Sequence, residues 1–103
     1  MRRLKYSLQA REDFADIAEY IANESGSRKI AEAFIRKLKT KCRRLADLPG
    51  TFGVARDEYA AGLRSTPYNR FVIFFRYDGD SLEITTIVHG ARDYNTVFEN
   101  PVT

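Results

Sequence analysis

The sequence predicts an α+β fold of order β-α-α-β-β-β, an N-terminal strand followed by an antiparallel helical hairpin packed on a small antiparallel sheet. Three observations predict it. Apolar residues recur at helical spacing through the first half of the chain. After Gly53 the spacing drops to the two-residue period of strands. The length, 103 residues, suits one domain spanning 1–103 and leaves no room for a second. A hydrophobic share of 44% beside 30% charged residues is the balance of a globular chain rather than a disordered one.

The elements follow in order. Arg3–Ser7 reads as a short strand, and Ser7 as the N-cap of a first helix. Glu12, Asp13 and Asp16 come early in that helix, where the macrodipole favours acids. Phe14, Ile17, Ala18 and Ile21 form its apolar stripe. Asn23 to Ser27, with Gly26, interrupts the helix, and Ser27 caps a second one running from Arg28 to Asp47. That helix is about 30 Å long at about 1.5 Å per residue. Its stripe is Ile30, Phe34, Leu38, Cys42 and Leu45, and Pro49-Gly50 stops it. The short link makes the pair an antiparallel hairpin.

In the second half Leu63–Tyr68 reads as a strand. Arg70–Tyr77, "RFVIFFRY", is apolar on both faces, with Phe71, Ile73 and Phe75 on one side and Val72 and Phe74 on the other, the pattern of a central strand. Asp78-Gly79-Asp80 supplies a hairpin turn into Leu82–His89, whose alternation places Leu82, Ile84, Thr86 and Val88 on one face. Phe34 and Phe74 are expected to link hairpin and sheet.

Charge is unevenly spread behind a net +3. Through Leu48 there are twelve Lys/Arg against seven Asp/Glu, and from Pro49 onward five against seven. Arg28 to Arg44 holds eight basic residues and one acid, Glu32. A helix this basic either faces water or awaits an acidic partner or a phosphate backbone. No secretory leader is legible, because Arg11, Glu12 and Asp13 follow Arg2, Arg3 and Lys5 before any apolar stretch of useful length. No stretch approaches a membrane span. A cytoplasmic location is expected.

The chemistry available is narrow. The single cysteine, Cys42, excludes an internal disulfide and a cysteine-based zinc site, and its place in the helical stripe reads as a packed thiol. The one histidine, His89, stands at a strand end and reads as a hydrogen-bonded residue at the sheet's edge. Gly50-Thr51-Phe52-Gly53 lacks the length and the lysine of a phosphate loop. No metal or cofactor is expected. Every basic residue after Lys41 is an arginine, a fixed cation with a planar fork of donors that binds anions but does not act as a base near neutral pH. Two readings stand for these arginines. Arg56-Asp57-Glu58 and Arg92-Asp93 could form internal bridges that lock the ends of the sheet, or the arginines could project toward a partner.

The runs "SLQAREDFADIAEYI", "CRRLADLPGTFG", "ARDEYAAGLRS", "RFVIFFRYDGDSLEITTIVHGARD" and a final "VF" together resemble the ParE toxins of the ParE/RelE superfamily of type II toxin–antitoxin systems. The resemblance covers Ser7 to Phe98, with "GLRS" at 62–65 and "HGARD" at 89–93 its most distinctive pieces. It implies a helical hairpin on a small antiparallel sheet, as periodicity does. It also implies a function. ParE-type toxins poison DNA gyrase by trapping it on cleaved DNA, and a ParD-type antitoxin, dimeric through a ribbon–helix–helix part, wraps a flexible tail around the toxin.

On that resemblance a binding edge is expected rather than an enzyme's catalytic centre. Arg64, Arg92, Asp93, Tyr94 and Phe98 are the expected target-binding residues, with "HGARD" turning the chain so that Arg92 and the tail lie on the sheet's exposed side. Phe34, Lys37, Leu38, Lys41 and Leu45 are expected to meet the antitoxin, through an acidic amphipathic helix laid on the hairpin. Sequence-specific DNA binding by the toxin alone and a membrane partner are not expected. The alternative within the same fold is a ribosome-dependent mRNA endonuclease of the RelE type, whose sites use lysine, arginine and a terminal tyrosine or histidine. Such chemistry needs a base and an acid. The sheet half has no lysine and is net acidic, which suits an RNA backbone poorly, and Tyr94, a phenol, is a poor base near neutral pH without strong tuning.

Overall fold

Two serines start the helices. In the computed structural model, which describes residues 2–90, 92 and 94–99 with the side chains of Thr96 and Glu99 excepted, Ser7 accepts the Ala10 N–H at 3.0 Å and donates its hydroxyl to Thr85 O at 2.6 Å. One side chain thus caps a helix and ties its start to the last strand. Ser27 accepts the Ile30 N–H at 3.2 Å. Between the helices Gly26 takes φ 70°, a left-handed end that lets the chain reverse without steric penalty.

The elements are β1 (Arg3–Tyr6), α1 (Leu8–Ser25), α2 (Arg28–Asp47), β2 (Val54–Ala55), β3 (Arg64–Tyr68), β4 (Phe71–Asp78), β5 (Ser81–His89) and α3 (Tyr94–Glu99). The five strands lie in the order β1-β5-β4-β3-β2. Neighbours are antiparallel except β1 and β5, which run parallel. The sheet is therefore mixed and has one strand more than periodicity suggests. The parallel pair is possible because the helical hairpin and strands between them provide a long crossover. The added strand has two residues, too few for a periodic signal.

The helical stripes pack inward with two changes. α1 buries Ala10, Phe14, Ile17 and Ile21, and α2 buries Ala31, Leu38, Cys42, Leu45 and Ala46. Ile30, expected in the stripe, is 53% exposed, because Ala31 takes the inward position in the first turn of α2. No acid occupies the first turn of α1, so the early carboxylates do not act on the helix dipole as expected. Cys42 is fully buried, and burial pushes its thiol up from 9.0 to about 12.

β4 is the central strand. Phe71, Ile73 and Phe75 join the helix-side core, with Leu82, Ile84 and Ile87 from β5. Phe34 leans on this core from α2, its ring centre 5.6 Å from that of Phe71 and 6.1 Å from that of Tyr68. Phe74 does not link hairpin and sheet. It is fully buried on the opposite face, in a second core with Leu63 and Val88. The expected face of β5 also changes partway along. Phe74 pairs with Thr86 but Phe75 pairs with Ile84, so the register skips Thr85. One extra residue reverses the in–out alternation, which sends Ile87 to the helices and Val88 to the other side.

Candidate functional site

The second face of the sheet is covered by the end of the chain. The Gly90 N–H donates to Arg70 O at 2.7 Å, and a Cβ on Gly90 would lie 3.1 Å from that oxygen, so any side chain there would push the β3–β4 turn back by a few tenths of an ångström. The Arg92 N–H then donates to His89 O at 3.0 Å. This turn brings α3 over Phe74. The Phe98 ring meets Phe74 edge-on at 4.8 Å between centres, and Tyr94 does so at 5.3 Å. Both α3 aromatics are half-buried.

A loop from the other side completes the cover. Tyr59 stacks on Phe98 with ring centres 5.0 Å apart and planes 20° from parallel. Its loop is closed by the Arg56 N–H to Leu63 O at 2.7 Å, and by the Gly62 N–H to the Asp57 carboxylate at 2.9 Å. The Arg56 guanidinium reaches under this cluster. Its Nε donates to Oγ of buried Ser65 at 2.9 Å, and its carbon lies 5.9 Å from the centre of the Tyr94 ring.

Arg92 stands at the edge of this face. It is exposed, and no described residue forms an ion pair with it. Beside it a cleft of about 360 Å³ runs between α1 and α3, lined also by Gln9, Asp13, Thr86, Val97 and Phe98. Asp13 forms the floor by accepting the Thr86 hydroxyl at 2.5 Å and the Ile87 N–H at 2.9 Å. β1 stops opposite Ile84, so this carboxylate satisfies a backbone donor that a strand would otherwise take.

Arg64 is engaged elsewhere. Its guanidinium donates to Phe52 O at 2.6 Å and Gly53 O at 2.9 Å, where it staples the loop before β2. At φ 82° a Cβ on Gly53 would come within 2.7 Å of Ser65 O, so that loop too has to be glycine. Of the bridge expected within Arg56-Asp57-Glu58, the Arg56–Glu58 part forms and the Arg56–Asp57 part does not, and Arg64 pairs with neither acid. Asp57 binds Gly62, and Glu58 lies 3.7 Å from Arg56. Asp93, and with it any Arg92–Asp93 bridge, lies outside the described residues. His89 is half-buried, its ring edge-on to Phe71 at 5.5 Å and Tyr20 at 6.4 Å. Among the described residues no group of three His, Cys, Asp or Glu side chains is placed to hold a metal ion, and no helix is long and apolar enough to cross a membrane.

Comparison with known proteins decides the family. The family model described as the ParE toxin of the type II toxin–antitoxin system parDE matches residues 4–94. The chain belongs to the ParE toxin family. Among solved structures, the chromosomal ParDE toxin–antitoxin system from P. aeruginosa is similar, with a TM-score of 0.71 at 21% identity over 86% of this chain and 96% of that one. This likeness shows the fold. No curated protein matches. Membership gives the chain the toxin's half of a toxin–antitoxin pair.

In this ParE-family fold the residues expected to meet the antitoxin divide. Leu38 and Leu45 are 0% and 3% exposed. Both point into the helix-side core and cannot touch a partner, which corrects the expectation for them. Phe34 reaches the surface at an apolar groove with Ile21, Ile30 and Phe71, rimmed by Glu24 and Arg70. Lys37 and Lys41 lie further along α2, beside Thr40, Arg44 and Tyr68. The sequence merged two surfaces that the structure separates. It also missed the roles of Tyr59 and Asp13, which depend on residues distant in the chain.

Proposed function

We propose that this chain is a growth-arresting toxin that binds and poisons DNA gyrase through the α3 face, and that a ParD-type antitoxin holds it inactive. One observation carries the reading. Arg92 is exposed, unpaired among the described residues, and set between a cleft and an aromatic cover of Tyr59, Tyr94 and Phe98. An arginine beside aromatic rings is the combination that anchors protein–protein contacts. Tyr94 and Phe98 supply the apolar part of this surface.

RNA cleavage finds no comparable support. The only histidine is packed against two rings, and the lysines all belong to β1 and α2. The antitoxin, a ribbon–helix–helix protein in a hetero-oligomeric complex, would place an amphipathic helix in the groove at Ile21, Ile30 and Phe34, where apolar anchors are available.

The test is direct. Purified toxin added to gyrase, relaxed plasmid and ATP should block supercoiling and accumulate cleaved DNA, and prior addition of the antitoxin should prevent both. Unimpaired supercoiling, with ribosome-dependent mRNA cuts in a translation extract, would overturn the proposal in favour of the endonuclease.

A further inference from the structure

We propose that the outer face of α2 grips the phosphate backbone of duplex DNA without reading its sequence. The inference goes beyond the gyrase reading and does not depend on it.

Leu38, Cys42 and Leu45 turn inward, so the cations between them are forced outward. Arg36, Lys37, Lys39, Arg43 and Arg44 are exposed, and Lys41 is half-exposed. Of these, Arg43 alone forms an ion pair among the described residues, with Asp47 at 2.9 Å. Lys37, Lys41 and Arg44 fall at i, i+4 and i+7, a single row about 10 Å long. Like charges at this spacing repel and weaken the helix. The arrangement costs the isolated fold stability, and a polyanion would offset that cost.

The choice of DNA over an acidic helix rests on the surroundings. The shallow cleft along the row is completed by Thr40 and Tyr68 and contains no aliphatic contact side chain other than the stems of its cations. An amphipathic helix would find a single aromatic ring there, Tyr68, which is already packed against Phe34 at 6.1 Å between ring centres. Lysine, arginine, threonine and tyrosine are, by contrast, the side chains that contact phosphates. Duplex DNA carries a charge about every 1.7 Å of its axis, so it can meet a row of this length at every cation. The apolar groove around Phe34 shares no lining residue with this cleft and adjoins it through the Phe34–Tyr68 contact, and α3 covers the other face of the sheet. The row is therefore free of the α3 face.

The experiment measures binding of the free, full-length toxin to a fluorescent duplex of arbitrary sequence over a range of KCl concentrations. It compares Lys37→Gln/Lys41→Gln/Arg44→Gln with a charge-matched control, Arg3→Gln/Arg11→Gln/Arg28→Gln. Thermal melts verify that both are folded, and Lys37→Arg/Lys41→Arg tests charge without its loss. The slope of log affinity against log salt should become shallower by about 2 to 3 in the first variant, at about 0.9 per lost phosphate contact, and by less than about 1 in the control. The arginine variant should keep the original slope. Equal changes in the two triple variants, or no change in either, would overturn the proposal. So would unaltered DNA binding beside weakened antitoxin binding, which would assign the row to an acidic protein partner.

Discussion

The two faces of the sheet are built differently. The helix side buries fifteen residues in one cluster drawn from both long helices and from two strands, β4 and β5. The other face buries three residues, Leu63, Phe74 and Val88, under aromatics that are themselves half exposed. A core of the first kind holds the fold together. One of the second kind is too small to do so, and its cover consists of the side chains best suited to contact another protein. The difference teaches where substitution should unfold this toxin and where it should only disarm it.

The comparison is broken most easily at Phe75, which is fully buried against the helices. Phe75→Ala should lose about 3–5 kcal/mol in urea unfolding, enough to remove antitoxin binding and toxicity together. A loss below about 1 kcal/mol would show that the helix-side core is not the main source of stability. Alkaline pH attacks the same core. Burial is the main cause that raises Cys42 from 9.0 to about 12 and Tyr6 from 10.0 to about 12. Both folded values lie above the unfolded ones, so this stability is complete below about pH 9 and is lost as pH rises toward 12. The urea midpoint should fall across that window, less so in Cys42→Ala, and an unchanged midpoint would contradict the burial of both groups.

Smaller effects sharpen the contrast at its boundary. Asp13→Ala strands the Ile87 N–H and the Thr86 hydroxyl, and should cost about 1–3 kcal/mol, with Asp13→Asn recovering part of it. Hydrogen exchange at Ile87 should accelerate, and unchanged protection there would remove Asp13 from the edge. Phe98→Ala, on the half-buried cover, should cost only about 1 kcal/mol while it abolishes gyrase poisoning. A loss as large as that of Phe75→Ala would make the two faces equal.

What could be read from the sequence divides along similar lines. Ser7, Ser27 and Gly26 announced the helix ends because capping is local chemistry, and the two-faced pattern of β4 followed from alternation alone. The face of Val88 was not legible, since the skip at Thr85 appears only when β5 meets β4. The parallel β1–β5 pair and the six-residue α3 were missed for the same reason, as both depend on distant partners. In the site, the exposed position of Arg92 was expected from the resemblance, since its charge alone fitted an internal bridge as well as a projecting cation. The engagement of Arg64 was not, because nothing in "GLRS" says that the carbonyls of Phe52 and Gly53 lie within reach. Leu38 and Leu45 were assigned to an interface because helical spacing identifies an apolar stripe without saying whether the sheet or a partner covers it.

The smallest expected change in stability belongs to Arg92, at the centre of the proposed target site. Arg92→Ala should alter unfolding by less than about 0.5 kcal/mol and leave antitoxin affinity unchanged, since the groove at Phe34 is elsewhere. It should nevertheless abolish the accumulation of gyrase-cleaved DNA, and Arg92→Lys should retain part of it, because lysine keeps the charge and loses the fork. The decisive measurement is cleaved DNA trapped by a folded, antitoxin-binding Arg92→Ala toxin. None should accumulate above background; wild-type levels of cleavage would remove Arg92 and the α3 edge from the target site.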